Sequence, residues 1–196
     1  MPNCIAVCQC NNYMLTVTSA DATTDRILDA AYEELLHFGV KGVSVEDIAK
    51  RVGVARITIY RRFKNKDELL GAVALREGQR LFAQVDAVLD GQATLEDQLV
   101  EGFVVAFQMV RTHPIVQRTL TSEPELVTSF LTSQAARILA MARDYLATRI
   151  GDRAVAELIV RLSTSFVLLP DSVIKLKTPD DVRRFARTYL VPLVER

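Results

Sequence analysis

The chain has 196 residues, of which 49% are hydrophobic and 24% charged, and its formal net charge is zero. That composition excludes disorder over the whole length and leaves room for one large domain or two small ones. Neutrality excludes a generally basic protein, so any polyanion-binding face has to be a local one on a neutral body.

In chain order, the cysteines come first: Cys4, Cys8 and Cys10 are the only three in the sequence. Their C-x3-C-x-C array lacks a fourth ligand and the usual C-x2-C spacing, so no metal site is expected. The odd count and the absence of cysteine elsewhere argue against a disulfide framework. The segment is too short and polar to span a bilayer and lacks the basic start of a secretory signal. Residues 1–22 are therefore expected to be a disordered tail, or an extension from an early start codon, since Met14 serves equally well. These absences imply a cytoplasmic location with no membrane partner.

With only 8 Gly and 6 Pro, the chain carries long stretches rich in Ala, Leu, Arg, Glu and Val, and no alternating β-branched run. The class is all-α. A first helix should start at Thr23 or Thr24 and bury Ile27, Ala31, Leu35 and Phe38, with Gly39 as a left-handed stop and Gly42 in the loop beyond. Ser44-Val45-Glu46-Asp47 has the layout of a capping box opening a second helix. Ile48, Ala49 and Val52 of that helix face inward, and Gly53 ends it. Val54 plugs the turn, and a third helix over residues 55–63 is anchored by Ile59 and Phe63. Asn65 caps a longer helix from Lys66. Two short helices joined by a glycine-containing turn make a helix-turn-helix, whose second member can enter a major groove.

Beyond Leu70 the pattern predicts long amphipathic helices over residues 66–89 and 95–111, the latter broken by His113-Pro114. A short one follows over residues 115–120, and Ser122-Glu123-Pro124 opens a long one reaching Ile150. The next helix is lined by Val155, Leu158, Ile159, Leu162, Phe166 and Leu169. The last starts near Asp180, after Pro179, and turns Val182, Phe185, Ala186, Tyr189 and Leu193 to one side. The domains expected are residues 23–70, a three-helix DNA-binding unit, and residues 71–196, a second helical unit.

From Lys50 to Lys66 there are seven Lys and Arg and no Asp or Glu, the one strongly one-signed stretch of the chain. Within it Arg56 is placed to hydrogen-bond guanine and Thr58 to offer its hydroxyl or methyl to a base edge. Tyr60, Arg61 or Arg62, and Lys66 at a helix start are candidates for phosphates. Ser44, at the head of the second helix, completes the DNA-binding set.

These residues carry a resemblance. The run Thr24-Asp25-Arg26-Ile27-Leu28-Asp29-Ala30-Ala31, then Phe38-Gly39, Val45-Glu46-Asp47-Ile48-Ala49, Val52-Gly53-Val54, Thr58-Ile59-Tyr60 and Phe63-Lys64-Asn65-Lys66-Asp67-Glu68-Leu69-Leu70 resembles the TetR family of bacterial repressors. Ala55 stands where that family commonly has a hydroxyl or acidic cap, and Ile57 where a small residue or Pro is frequent. The resemblance implies a homodimer paired through the last two helices, residues 153–169 and 180–194, with third-helix residues on DNA and Tyr60 and Lys66 on phosphates. It also implies a palindromic double-stranded operator, release by a small-molecule effector, and residues 71–196 as the ligand-binding and dimerisation domain. The alternatives are a DNA-binding regulator without a ligand, or an activator. Phe103, Phe107, Phe130, Met141, Tyr145 and Phe166 are the side chains expected near an effector cavity, or else plain core. The scarcity of inward charge points to an apolar effector.

An enzyme is not expected. The two histidines, His37 and His113, lie at helix ends. No nucleophile elbow, phosphate-binding glycine loop, dinucleotide fingerprint or H-E-x-x-H site occurs, so no cofactor is expected either. The adjacent acids Glu33-Glu34 and Asp180-Asp181 read as surface or helix-start groups.

Overall fold

Ile27, Leu28, Ala31 and Leu35 fall on one stripe of the first helix and are all buried, as their spacing requires. The structure, a computed structural model, describes residues 22–125 and 135–195, and among these every regular element is helical. Helix α1 (Ala22–Gly42) is interrupted at Gly39, whose φ of 70° and ψ of 179° suit only glycine. The expected stop is thus positive in φ but extended in ψ. The chain then makes a further turn through the expected loop, with Val43 N–H donating to the Gly39 carbonyl at 3.2 Å. Phe38 departs from the expected buried row. It sits at the break, 54% exposed, with its Cβ where a side chain on Gly42 would have to go.

Helices α2 (Val45–Val52) and α3 (Arg56–Arg62) follow. Ile48, Ala49, Val52, Ile59 and Phe63 are buried, while Val54, the expected plug, is half-buried. Helix α4 (Lys66–Leu89) begins under an Asn65 cap, with Asn65 Oδ1 accepting from Glu68 N–H at 2.8 Å. The chain divides into two compact units, one ending at Gln79 and the other starting at Arg80, so the boundary falls inside α4. Arg76 is one reason: its guanidinium pairs with Asp29 of α1 at 2.9 Å.

The second unit contains α5 (Leu95–Thr112), α6 (Pro114–Ser122), α7 (Ala135–Ile150), α8 (Arg153–Leu168) and α9 (Pro179–Phe185). The start of the long helix expected to reach Ile150 lies partly outside the described residues. The core of this unit is built on Val100, Phe103, Val104 and Phe107 of α5, Ile159 and Val167 of α8, and Val182 and Phe185 of α9.

Beyond Phe185 the last helix widens into a π-helical turn, Ala186–Leu190, before a final α-helical turn, Val191–Val194. Pro192 accounts for this. It has no N–H, and its ring would collide with the carbonyl four residues back, so the helix opens by one residue and Val191 N–H reaches Ala186. The extra residue shifts the register. Leu190 takes the buried place expected of Tyr189, which instead is exposed.

Candidate nucleic-acid interface

The turn between α2 and α3 is built from local hydrogen bonds. Ser44 Oγ accepts from Asp47 N–H at 3.2 Å. At the other end of α2, Gly53 adopts φ 75° and ψ 37°, and its N–H donates to the Ala49 carbonyl at 2.9 Å. Val54 N–H donates to the same carbonyl at 3.0 Å. This left-handed closure reverses the chain within one residue, which allows α3 to start immediately. Ala55 precedes α3 without a side-chain cap.

Two contacts from α1 fix α2. Arg26 donates to the Val52 carbonyl at 2.5 Å, satisfying one of the acceptors left open at the end of α2. Arg51 Nη2 donates to Glu34 Oε1 at 2.8 Å. Glu34 is only 2% exposed, so its expected surface position is wrong: it projects with Ala31 and Leu35 into the inward side of α1 and is tolerated there because Arg51 pairs with it. That inward row was the available signal, since Glu34 lies three residues after Ala31.

The basic run is less free than the sequence suggests. Lys50 Nζ lies 2.9 Å from Glu46 and 3.6 Å from Asp47, one turn back on its own helix, and the Glu46 carboxylate raises its pKa. Arg62 turns inward, where Nε donates to Thr24 Oγ1 at 3.1 Å and Nη1 to the Thr58 carbonyl at 3.3 Å. Lys66 Nζ donates to the Lys41 carbonyl at 3.2 Å, closing α1.

What α3 presents outward is therefore Arg56, Ile57, Tyr60 and Arg61. Arg56 Nη2 donates to Tyr60 Oη at 3.1 Å, and the guanidinium carbon lies 5.3 Å from the ring centroid. The hydroxyl and ring hold the cation over one flank of the helix. Each residue turns about 100° from the last, and Ile59 is buried. The side away from it carries Ile57 and, one turn on, Arg61, with Tyr60 and then Arg56 along one flank. Thr58 lies toward the inner side and is half-buried. Ile57, absent from the sequence-derived set, is 60% exposed. Its signal was available, because a helix that buries Ile59 and Phe63 cannot bury Ile57 as well.

Of the residues expected near an effector, Phe103 and Phe107 stack at 5.8 Å between centroids. Phe166 meets Phe185 edge-on at 5.3 Å, and Phe185 in turn lies 6.0 Å from Phe103, so these form one aromatic core. Tyr145 stacks on Phe82 at 4.3 Å and donates to Asp86 at 2.6 Å. Met141 is half-buried. Phe130 lies outside the described residues.

A basic, partly apolar helix held outward by a tight glycine turn defines a helix-turn-helix DNA-binding protein. Residues 27–73 match the family model of bacterial regulatory proteins of the tetR family. An HTH-type transcriptional regulator, AlkX of Mycobacterium tuberculosis, is 29% identical over 88% of this chain and 85% of its own length. Among solved structures, the TetR family repressor AlkX from Dietzia sp., implicated in biodegradation of n-alkanes, superposes with a TM-score of 0.68. It is 23% identical, over 88% of this chain and 95% of that one. The transcriptional regulator FadR from Bacillus subtilis, in complex with stearoyl-CoA, shares the fold at a TM-score of 0.52 and 22% identity, over 87% and 97% of the two chains. Residues 27–73 are thus a DNA-binding domain of the tetR family, and the chain is a DNA-binding transcription regulator. Among the described residues no helix is long and apolar enough to cross a membrane.

Proposed function

We propose that the chain is a cytoplasmic, non-catalytic homodimeric repressor that binds a palindromic operator and is released by an apolar effector. The observation that carries the reading is the outward face of α3. In this reading Arg56 contacts a guanine edge and Tyr60 and Arg61 grip flanking phosphates. Ser44 and Lys66 mark the edges of the footprint, at the starts of α2 and α4. Thr58 and Arg62 act chiefly by supporting the helix. The unit ending at Gln79 is the DNA-binding head, and the unit from Arg80 senses and dimerises.

Dimerisation is supported by a second apolar row on α8. Leu158 and Leu162 are exposed although Ile159 and Val167 of the same helix are buried, Leu169 just past its end is exposed, and so is Tyr189 on the last helix. A helix apolar on two sides is built for two partners, and a second copy supplies the outer one. A single short helix also offers too few base contacts for high selectivity, whereas two related by a dyad read two half-sites. The n-alkane and stearoyl-CoA associations of the two structural relatives favour a long-chain alkyl or acyl effector. Such a ligand would have to part the Phe103–Phe107–Phe166 cluster or enter beside Met141, Tyr145 and Phe130.

The test is titration of the full chain against duplexes enriched from a random pool, at two salt concentrations. Binding should weaken steeply with salt. Arg56→Ala should cost about 1–3 kcal/mol and relax selectivity at one position per half-site, whereas Lys66→Ala should weaken all sequences alike. Failure to enrich any palindrome would overturn the operator reading. Retention of the complex with fatty acyl-CoAs or alkanes present would overturn the proposed effector class.

A further inference from the structure

We infer that Ile57 is a specificity-determining residue that reads the C5-methyl group of a thymine in each half-site. The inference rests on the operator reading above and adds to it a base, an atom and a residue.

Ile57 lies on the outward face of α3, nearly opposite the buried Ile59, and is 60% exposed. Its neighbours on that face are polar or cationic: Arg56 and Tyr60 joined at 3.1 Å on one flank, and the exposed Arg61 one turn further on. A large β-branched side chain has no partner of its own chemistry there. In a major groove, the only apolar group that base pairs display is the thymine methyl. A helix docked with Tyr60 and Arg61 toward the phosphates and Arg56 at a guanine edge brings Ile57, which lies between Tyr60 and Arg61 around the helix, onto the base edges. Because Ile57 is β-branched, its χ1 freedom is already small, so little is lost when it is immobilised on a flat base edge.

The same geometry assigns discrimination. Opposite a cytosine or guanine, Ile57 would cover a polar edge and strip it of water without replacing the hydrogen bond. Opposite thymine it covers a methyl group instead. Arg56 and Ile57 are adjacent, so guanine and thymine preferences should fall at neighbouring positions of the half-site.

The experiment uses the full-length chain and the duplex enriched by it from a random pool. Each thymine is replaced in turn by deoxyuridine, which removes only the methyl group, and affinity is measured for the wild type and for Ile57→Ala. Circular dichroism and binding to random-sequence DNA check that the exposed substitution leaves the fold and phosphate contacts intact. The expected result is one thymine per half-site at which deoxyuridine weakens wild-type binding about fourfold, or about fifteenfold in both half-sites together, from the value of one buried methyl. Ile57→Ala should abolish that sensitivity at that position alone. An enriched palindrome with no such thymine, or one at which Ile57→Ala remains as sensitive as the wild type, overturns the assignment and leaves the operator reading intact. A wild-type chain that enriches no sequence overturns both.

Discussion

The head and the C-terminal unit are both all-helical, but they are held together at different ranges of sequence. In the head the turn and the helix starts are closed by near neighbours, Ser44 with Asp47, Gly53 with Ala49, Asn65 with Glu68 and Arg56 with Tyr60, while α1 braces them over spans of 17 to 38 residues. In the C-terminal unit the contacts are more distant. Arg183 meets Glu101 at 2.8 and 3.0 Å across 82 residues, and Arg187 reaches Glu96 at 2.6 Å across 91. A recognition head needs one short helix in a fixed attitude, and local caps and a tight turn supply that. A unit that senses and pairs has to bring far-apart helices together, so its order depends on the whole core.

The largest effect should come from breaking that distant packing. Phe185 lies against Phe103, Phe166 and Tyr189, with centroids 5.3 to 6.0 Å apart. Phe185→Ala should cost about 3–5 kcal/mol, the usual range for emptying a buried aromatic site. Urea unfolding followed by circular dichroism would measure it. A loss below about 1 kcal/mol would mean that the aromatic cluster is loose enough to collapse around the gap.

A smaller effect, confined to the head, is expected at Gly53. Its φ of 75° places any other side chain in the left-handed region, and Gly53→Val should cost about 1–2 kcal/mol in stability. DNA affinity should fall further than stability alone explains, because α3 takes its direction from that turn. Equal losses in denaturation midpoint and DNA binding would indicate that the turn serves folding only and does not aim the helix.

The same contrast explains what the sequence made legible. The caps at Ser44 and Asn65, the turn at Gly53 and the buried rows of α1 to α3 follow from spacing, because each depends on residues within a turn or two. Phe38 was misplaced because the break at Gly39 interrupts the periodic row. Ile57 was passed over because hydrogen-bonding residue types drew the assignment, whereas position on the helix decides what faces outward. In the C-terminal unit, lengths and breaks were readable but faces were not. The apolar residues of α8 form two rows, which look like one broad row in sequence. Tyr189 and Leu190 exchanged places through a π-turn whose cause, Pro192, lies beyond them. The Arg183–Glu101 and Arg187–Glu96 pairs leave no local trace.

The smallest effect tests whether any part of the C-terminal unit is organised as locally as the head. At the start of α9, Thr178 Oγ1 accepts from Asp181 N–H at 3.2 Å and Asp181 Oδ2 accepts from Thr178 N–H at 3.0 Å, a complete capping box. The Thr178 backbone N–H holds the Asp181 carboxyl below its usual pKa, with Arg184 adding to the effect. A carboxyl whose folded pKa is depressed stabilises the fold fully above its unfolded value of about 3.9, and that contribution disappears as pH falls toward the folded value. Asp181→Asn keeps an acceptor but removes the charge. The wild type should therefore be the more stable chain at about pH 6, and the gap should narrow as pH falls below about 4 in parallel urea titrations. Thr178→Ala, which removes the hydroxyl that caps the helix, should cost about 1 kcal/mol at about pH 6. A gap between wild type and Asp181→Asn that stays constant with pH would mean that shape rather than charge closes this helix end, and that the last helix owes its start to the distant core.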